Sequence, residues 1–467
     1  MKNIKYLTLS LFLILSVGCE ELVEGINDNP NEISSDSFEA GILLLKGIEL
    51  ANVSVQAGHQ NRIGGMWTGQ TRGLILLYRS LAEYNISAEE TNGMWQNAYQ
   101  GVVKQARLLR QQTATNPKAK QYSGITKVLE ANALGTLASM FGDIPFSEIA
   151  KDEIADPKFD SQKFVFSQLQ IMLDEAIADL GASTNSLVAE DLMLAGNTVR
   201  WAKVARTLKA RLYIYTREYE KAYQEALLGV LAPTDALVFT PPAIGNGSQN
   251  LNFKMINQRG GYWGFTGSYL DVLMGTRRNN TKTQENARLA YYRFDGVSAT
   301  NNRGIAAINT PMTIIGYEEN MLILAEAAVR TGKIAIGLTQ LNNLRTYLAG
   351  GKAFLKLNAN DALKYDPYVL ADFEKNGIEN KEGLETERAL LREIIEERYV
   401  SGFTGLLGFD DLRRLGSKEK DIAVLPPFNS PTITQYPQRF IVAQSELSAN
   451  ENAPKDAGIF AVTEVNK

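Results

Sequence analysis

Residues 197–215 read Asn197-Thr198-Val199-Arg200-Trp201-Ala202-Lys203-Val204-Ala205-Arg206-Thr207-Leu208-Lys209-Ala210-Arg211-Leu212-Tyr213-Ile214-Tyr215. Trp201, Val204, Ala205, Leu208, Leu212 and Tyr215 follow steps of three and four, which puts them on one face of an α-helix. Asn197-Thr198 stand in front as capping residues. The same spacing recurs in both directions along the chain. It predicts helices from Ser37 to about Ala57 and from Thr91 to Gln112, where Trp95, Tyr99, Val102, Val103, Ala106 and Leu109 share a face. Further helices are predicted over Tyr122–Phe141, Phe164–Leu180, and Tyr219–Leu231, the last ending before Pro233.

Residues 233–316 differ in kind. They are rich in Gly, Asn, Thr and Pro, with two short helical candidates near Ser268–Met274 and Thr283–Tyr291. A loop region this long is usually functional or disordered. Helix pairing resumes with Tyr317–Arg330, which stops at Gly332, and Lys333–Leu348, which stops at Gly350-Gly351. The pair spans about 32 residues, near the 34 of a tetratricopeptide unit. Leu384–Val400 is the last long helix. In it Arg392 and Glu396 lie four apart, as do Glu393 and Glu397, so its polar face mixes favourable and unfavourable pairs. The chain from Pro426 onward is irregular. No strand-rich domain, phosphate loop or dinucleotide fingerprint is present.

Composition narrows the function classes. The 467 residues include one Cys and one His, with 48 Lys+Arg against 52 Asp+Glu and a formal charge of −4. One Cys and one His cannot build an intrachain disulfide or a Cys/His zinc site. The slight acidity, without a long basic run, argues against nucleic acid as a partner. Triad chemistry would have to converge on His59, which sits at a predicted helix end and reads as a C-terminal cap or an exposed residue. Asp410-Asp411 with Arg413-Arg414 read as a structural ion-pair network, because adjacent carboxylates on a short segment point apart.

The N-terminus reads as a secretory signal. Lys2 and Lys5 precede an apolar stretch of about a dozen residues from Leu7, followed by Ser16-Val17-Gly18-Cys19. The stretch is too short for a transmembrane helix, which needs roughly 20 apolar residues. Cys19 behind Gly18 resembles a bacterial lipobox, with Ser16 where Leu is usual. Cleavage before Cys19 removes 18 of the 467 residues, Lys2 and Lys5 among them, and takes the formal charge from −4 to −6. Acyl chains on Cys19 would anchor the protein stably, at about 0.8 kcal/mol per buried CH₂.

Several separated segments together resemble the SusD/RagB family of outer-membrane nutrient-binding lipoproteins. They are Asn27-Asp28-Asn29-Pro30-Asn31; Gly142-Asp143-Ile144-Pro145-Phe146; Arg200-Trp201 through Leu208-Lys209-Ala210-Arg211; Glu326-Ala327-Ala328 with Leu341-Asn342-Asn343-Leu344-Arg345; Glu397-Arg398-Tyr399; Asp410-Asp411-Leu412-Arg413-Arg414; and Tyr436-Pro437 with Glu446 and Asn450. One departure is that the family's Asp-Pro turn is replaced by Asn286-Ala287, ahead of Arg288-Leu289 and Tyr291-Tyr292. The resemblance implies a mainly α fold: tetratricopeptide-like helix pairs in a right-handed scaffold, crossed by a long irregular segment. The expected division is a signal peptide over 1–18, lipidated Cys19 and tether over 19–36, and one domain over 37–467. Within that domain, 37–232 and 317–425 hold helix pairs, 233–316 is the loop-rich insert and 426–467 the irregular tail. The implied place is the outer face of the outer membrane, beside a SusC-like TonB-dependent transporter. The implied ligand is an oligosaccharide or a peptide. No catalysis, cofactor or metal is expected.

A glycan surface needs aromatic platforms and polar groups that read hydroxyls. Trp95 and Trp201 lie on apolar helix faces and read as core. Trp67, in Gly64-Gly65-Met66-Trp67-Thr68-Gly69-Gln70-Thr71-Arg72, and Trp263, in Gly260-Gly261-Tyr262-Trp263-Gly264, have small-residue surroundings. Either ligand contact or loop packing suits them. Gln70, Arg72, Tyr78 and Tyr262 complete the candidate site. The other reading of the chain is a lipid-anchored helical scaffold that binds protein and no small nutrient.

Overall fold

The computed structural model describes residues 40–149, 151, 153–242, 249–294, 302–455 and 458–467. The signal stretch, Cys19, the tether and the Asn27–Asn31 turn lie outside them. The architecture is mainly helical, and helices adjacent in the chain pack as pairs. Ala40–Ala57 lies against the helical stretch 92–112, and Ala119–Phe141 against Gln162–Gly181. Thr198–Tyr215 pairs with Tyr219–Ala226, and Tyr317–Arg330 with Ile334–Ala349. Thr386–Ser401 then packs on Tyr317–Arg330 and on Leu407–Leu415.

Local chemistry sets these boundaries. Asn197 Oδ1 accepts from the Arg200 N–H at 3.0 Å and so caps the helix predicted from it. Ser161 and Ser268 cap their helices in the same way. After Arg330 the chain turns through Gly332 at φ +78°; Gly332 N–H donates to Val329 O and Lys333 N–H to Ala328 O. This is a Schellman turn, which needs a left-handed residue that glycine supplies at least cost. It reverses the chain so that the next helix packs back on the last.

The core runs through Ala119–Phe141, buried on every side from Val128 onward. Trp201 is fully buried with its indole N–H on Asp191 Oδ2 at 2.6 Å. Trp95 packs among Phe141, Phe159 and Tyr99 and donates to Glu446. Both are core residues, as their helix faces implied.

Among the described residues, strands are confined to four short antiparallel pairs, which pin loops to the helical body. Ile144–Pro145 pairs with Phe159–Asp160, Leu237–Phe239 with Met312–Ile315, and Thr283–Gln284 with Lys364–Tyr365. The fourth joins Arg72–Gly73 to Trp263–Gly264. The described part of the 233–316 segment carries short helices at Leu251–Gln258, Tyr269–Gly275 and Asn286–Tyr292.

The polar face expected on the Leu384–Val400 helix is corrected. Glu393, Glu396 and Glu397 are buried. They converge on Arg278, which comes from the loop-rich segment and is itself buried. The like-charged pair is tolerated because a cation lies between its members.

Candidate functional site

The predicted site residues come from two segments distant in sequence, and the Arg72–Gly73/Trp263–Gly264 ribbon brings them together. Arg72 pairs with Gly264 and Gly73 with Trp263; Leu74 N–H donates to Tyr262 O at 2.8 Å. Side chains alternate across a strand. Arg72, Leu74, Tyr262 and Gly264 therefore share the outer side, and Gly73 and Trp263 the inner side. The contacts agree: a Cβ on Gly264 would sit 2.9 Å from Leu74 Cδ1. On the inner side, a Cβ on Gly73 would sit 1.9 Å from Tyr78 O, so no larger residue fits there without moving the backbone.

This register sorts the aromatics. Trp263 is 2% exposed, its ring 4.5 Å from Phe294, and its buried indole N–H has no hydrogen-bond partner among the described residues. Tyr262 is half-buried, with its ring edge-on to Tyr78 at 6.3 Å and the Arg259 guanidinium 5.8 Å above it. Arg72 is exposed and donates to Thr266 O at 3.2 Å.

Tyr78 is nearly buried, but its hydroxyl organises a polar cluster beneath Tyr262. Arg62 Nε donates to it at 3.0 Å, and His59 Nδ1 lies 3.2 Å away. His59 Nε2 meets Glu90 Oε2 at 2.6 Å, and this bond holds the Glu90 carboxyl below its ordinary range. His59 thus opens the His59–Trp67 helix and orients Tyr78, which corrects the C-terminal-cap expectation. Above the cluster, Ile75, Leu76 and Leu77 are 44%, 69% and 47% exposed. Leu76 has φ +47°, a conformation disfavoured for a side chain of its size.

Two expectations are corrected outright. Trp67 is 1% exposed, stacked on Phe440 at 4.7 Å, with its indole N–H on Leu81 O at 2.8 Å. Gln70 is buried and donates to Tyr399 O at 2.7 Å. Both hold the loop to the C-terminal helices and present no surface to a ligand. The glycines around Trp67 allow the close approach of a short helix to its neighbours, with Phe409 Cβ 3.5 Å from where a Cβ of Gly64 would lie. Sequence reasoning missed Arg62, Arg259 and the Ile75–Leu77 strip. The clue available was the position of Arg259, three residues before the aromatic pair.

Away from the ribbon, a cavity of about 180 Å³ lies between the Thr198–Tyr215, Tyr317–Arg330 and Thr386–Ser401 helices. Tyr291 and Phe354 stand in its wall with ring centres 6.1 Å apart. Most of its polar lining is committed to the fold. Arg211 holds Glu319, and Arg288 holds Glu397 and Ser401. Asp410 accepts from Ser139 and Tyr215, both at 2.6 Å, and binds Arg413. Asp411 instead binds Arg398 and Arg414. The adjacent carboxylates thus serve two separate ion-pair networks.

Residues 43–241 match the SusD-like family model described as "Starch-binding associating with outer membrane". A SusD/RagB family protein from Bacteroides thetaiotaomicron superposes with a TM-score of 0.66 at 19% identity, over 89% of this chain and 95% of that one. A chitin-binding SusD homologue from Flavobacterium johnsoniae gives 0.65 at 16% identity, over 91% and 98%. A SusD homologue from Bacteroides fragilis gives 0.64 at 19% identity, over 91% and 99%. These likenesses show the fold; no curated protein sequence matches. The family model thus matches the N-terminal helix pairs, and over most of its length the chain has the fold of SusD-like proteins.

Proposed function

We propose that this chain captures an oligosaccharide at the cell surface, on the face built by the Arg72–Gly73/Trp263–Gly264 ribbon. The observation that carries the reading is the register of that ribbon, which puts Arg72 and Tyr262 outward together, with Arg259 over the Tyr262 ring. A partly exposed phenol supplies a flat platform, and the guanidinium groups read ligand oxygens. The family description and the chitin-binding homologue support a glycan as ligand. On this reading lipidated Cys19 tethers the protein to the outer face of the outer membrane. The captured glycan passes to a SusC-like TonB-dependent transporter, without a chemical step. Trp263 backs the platform from beneath.

Calorimetric titration of the purified protein with a panel of oligosaccharides tests this. Binding that Tyr262→Ala weakens at least about tenfold, with the fold intact, supports the face. Binding that Tyr262→Ala leaves untouched places the ligand elsewhere.

The exposed Ile75-Leu76-Leu77 strip favours a second reading, a protein-binding scaffold, since contiguous exposed apolar residues mark interaction surfaces. On that reading no glycan binds, and Ile75→Ser with Leu77→Ser abolishes capture of the partner.

A further inference from the structure

The two segments that build this face differ in charge from the rest of the chain. Segments 59–84 and 251–271 carry Arg62, Arg72, Arg79, Lys254 and Arg259 against Glu83 and Asp271, in a chain whose formal charge is −4. The nearby acids are largely committed. Asp271 binds Arg293 at 2.7 Å and accepts from Gly267 N–H at 2.7 Å, and Glu90 is held by His59. The cations are not. Among the described residues, Arg62, Arg72, Arg79 and Arg259 have no carboxylate within ion-pair distance, although most arginines elsewhere do. Arg72, Arg79 and Arg259 are exposed, and Arg62 Nη1, buried under Tyr78, has no hydrogen-bond partner among the described residues.

From this we infer that the ligand of the face is an anionic glycan, one that carries carboxylate or sulfate on its sugars. The inference rests on the glycan-binding reading above and names its substrate class. Guanidinium groups pair with planar oxyanions through two parallel N–H···O bonds, and they keep their charge at any working pH. Arg259 over Tyr262 sets a charge and a flat ring side by side, so one sugar ring can stack while its acidic substituent is paired. A neutral glycan would leave these guanidinium groups with water alone.

The test is calorimetry on the intact protein with four size-matched probes: oligogalacturonate, a heparin-derived oligosaccharide, a malto-oligosaccharide and a chito-oligosaccharide, each at low and high salt. Oligoglutamate serves as a charged probe without sugar. The expected result is that one of the two acidic glycans binds best and weakens as salt is raised. Arg72→Ala and Arg259→Ala should each weaken it about tenfold, with unfolding midpoints unchanged. The carboxylate and sulfate probes tell the two acidic chemistries apart. A neutral glycan bound more tightly, indifferent to salt and to both substitutions, overturns the anionic assignment and leaves the glycan-binding reading standing. Oligoglutamate bound as tightly as the acidic glycans overturns the glycan part of the assignment. No binding of any glycan overturns both.

Discussion

Two sets of arginines in this protein have opposite surroundings. In the C-terminal helices they are buried among carboxylates. Arg398 and Arg414 both bind Glu326, at 2.6 and 2.7 Å, and both bind Asp411; Arg278 is enclosed by Glu285, Glu393, Glu396 and Glu397. At the ribbon face Arg72 and Arg259 are exposed and hold no carboxylate among the described residues. A buried cation needs its partner to exist there at all, because an unpaired charge in the interior is costly. An exposed cation without a partner contributes little to the fold. The first set is therefore spent on stability, and the second is available to a ligand.

The largest break in this contrast comes from Glu326→Ala. It leaves Arg398, Arg414 and Arg330 facing one another and should cost about 3–5 kcal/mol in denaturant unfolding. A loss below about 1 kcal/mol would show that the network is not what holds these helices.

Acidity probes the same site. Burial alone would raise the Glu326 pKa, but Arg398, Arg414 and Arg330 hold it well below its ordinary 4.5. A carboxyl depressed in the folded state contributes stability that is present above the unfolded pKa and lost as pH falls through the folded one. The stability advantage of the natural chain over Glu326→Gln should thus be full above pH 4.5 and shrink below it. Unfolding curves of both proteins across that range check this.

Trp67→Ala should also cost about 3–5 kcal/mol, as a large buried aromatic does. Gly73→Ala should cost about 1–3 kcal/mol through overpacking against Tyr78 O, and should displace Tyr262 with it. Smallest in stability, Arg72→Ala and Arg259→Ala should shift unfolding by no more than about 0.5 kcal/mol. Their effect belongs to binding. A large stability loss from either would move that arginine into the structural set.

The helical scaffold was legible because its signal is periodic. Trp201 and Leu208 sit on one face whatever the helix packs against, and the Gly332 stop is written locally. The site was legible only in part. Four of the six candidates, Arg72, Tyr78, Tyr262 and Trp263, lie at one ribbon, yet whether Tyr262 or Trp263 faces outward is decided by pairing with Arg72 far along the chain. One residue of slip would exchange them. Trp67 misled because glycine near an aromatic looks the same at a turn and at a tight helix contact. The short helices His59–Trp67 and Leu407–Leu415 owe their existence to tertiary packing, which weighs more than propensity in pieces this short. Arg278 lies in a loop region, and nothing around it announces that it will stand among four buried glutamates.

The central claim is that the outward side of the ribbon, with Tyr262 as its platform, is where ligand is held. The most direct measurement is a paired titration of the natural protein and Tyr262→Ala with the tightest-binding oligosaccharide, alongside their unfolding curves. The account predicts binding weakened at least about tenfold with stability reduced by no more than about 1 kcal/mol, the worth of the Tyr78–Tyr262 contact. Equal affinity in the two proteins would contradict it.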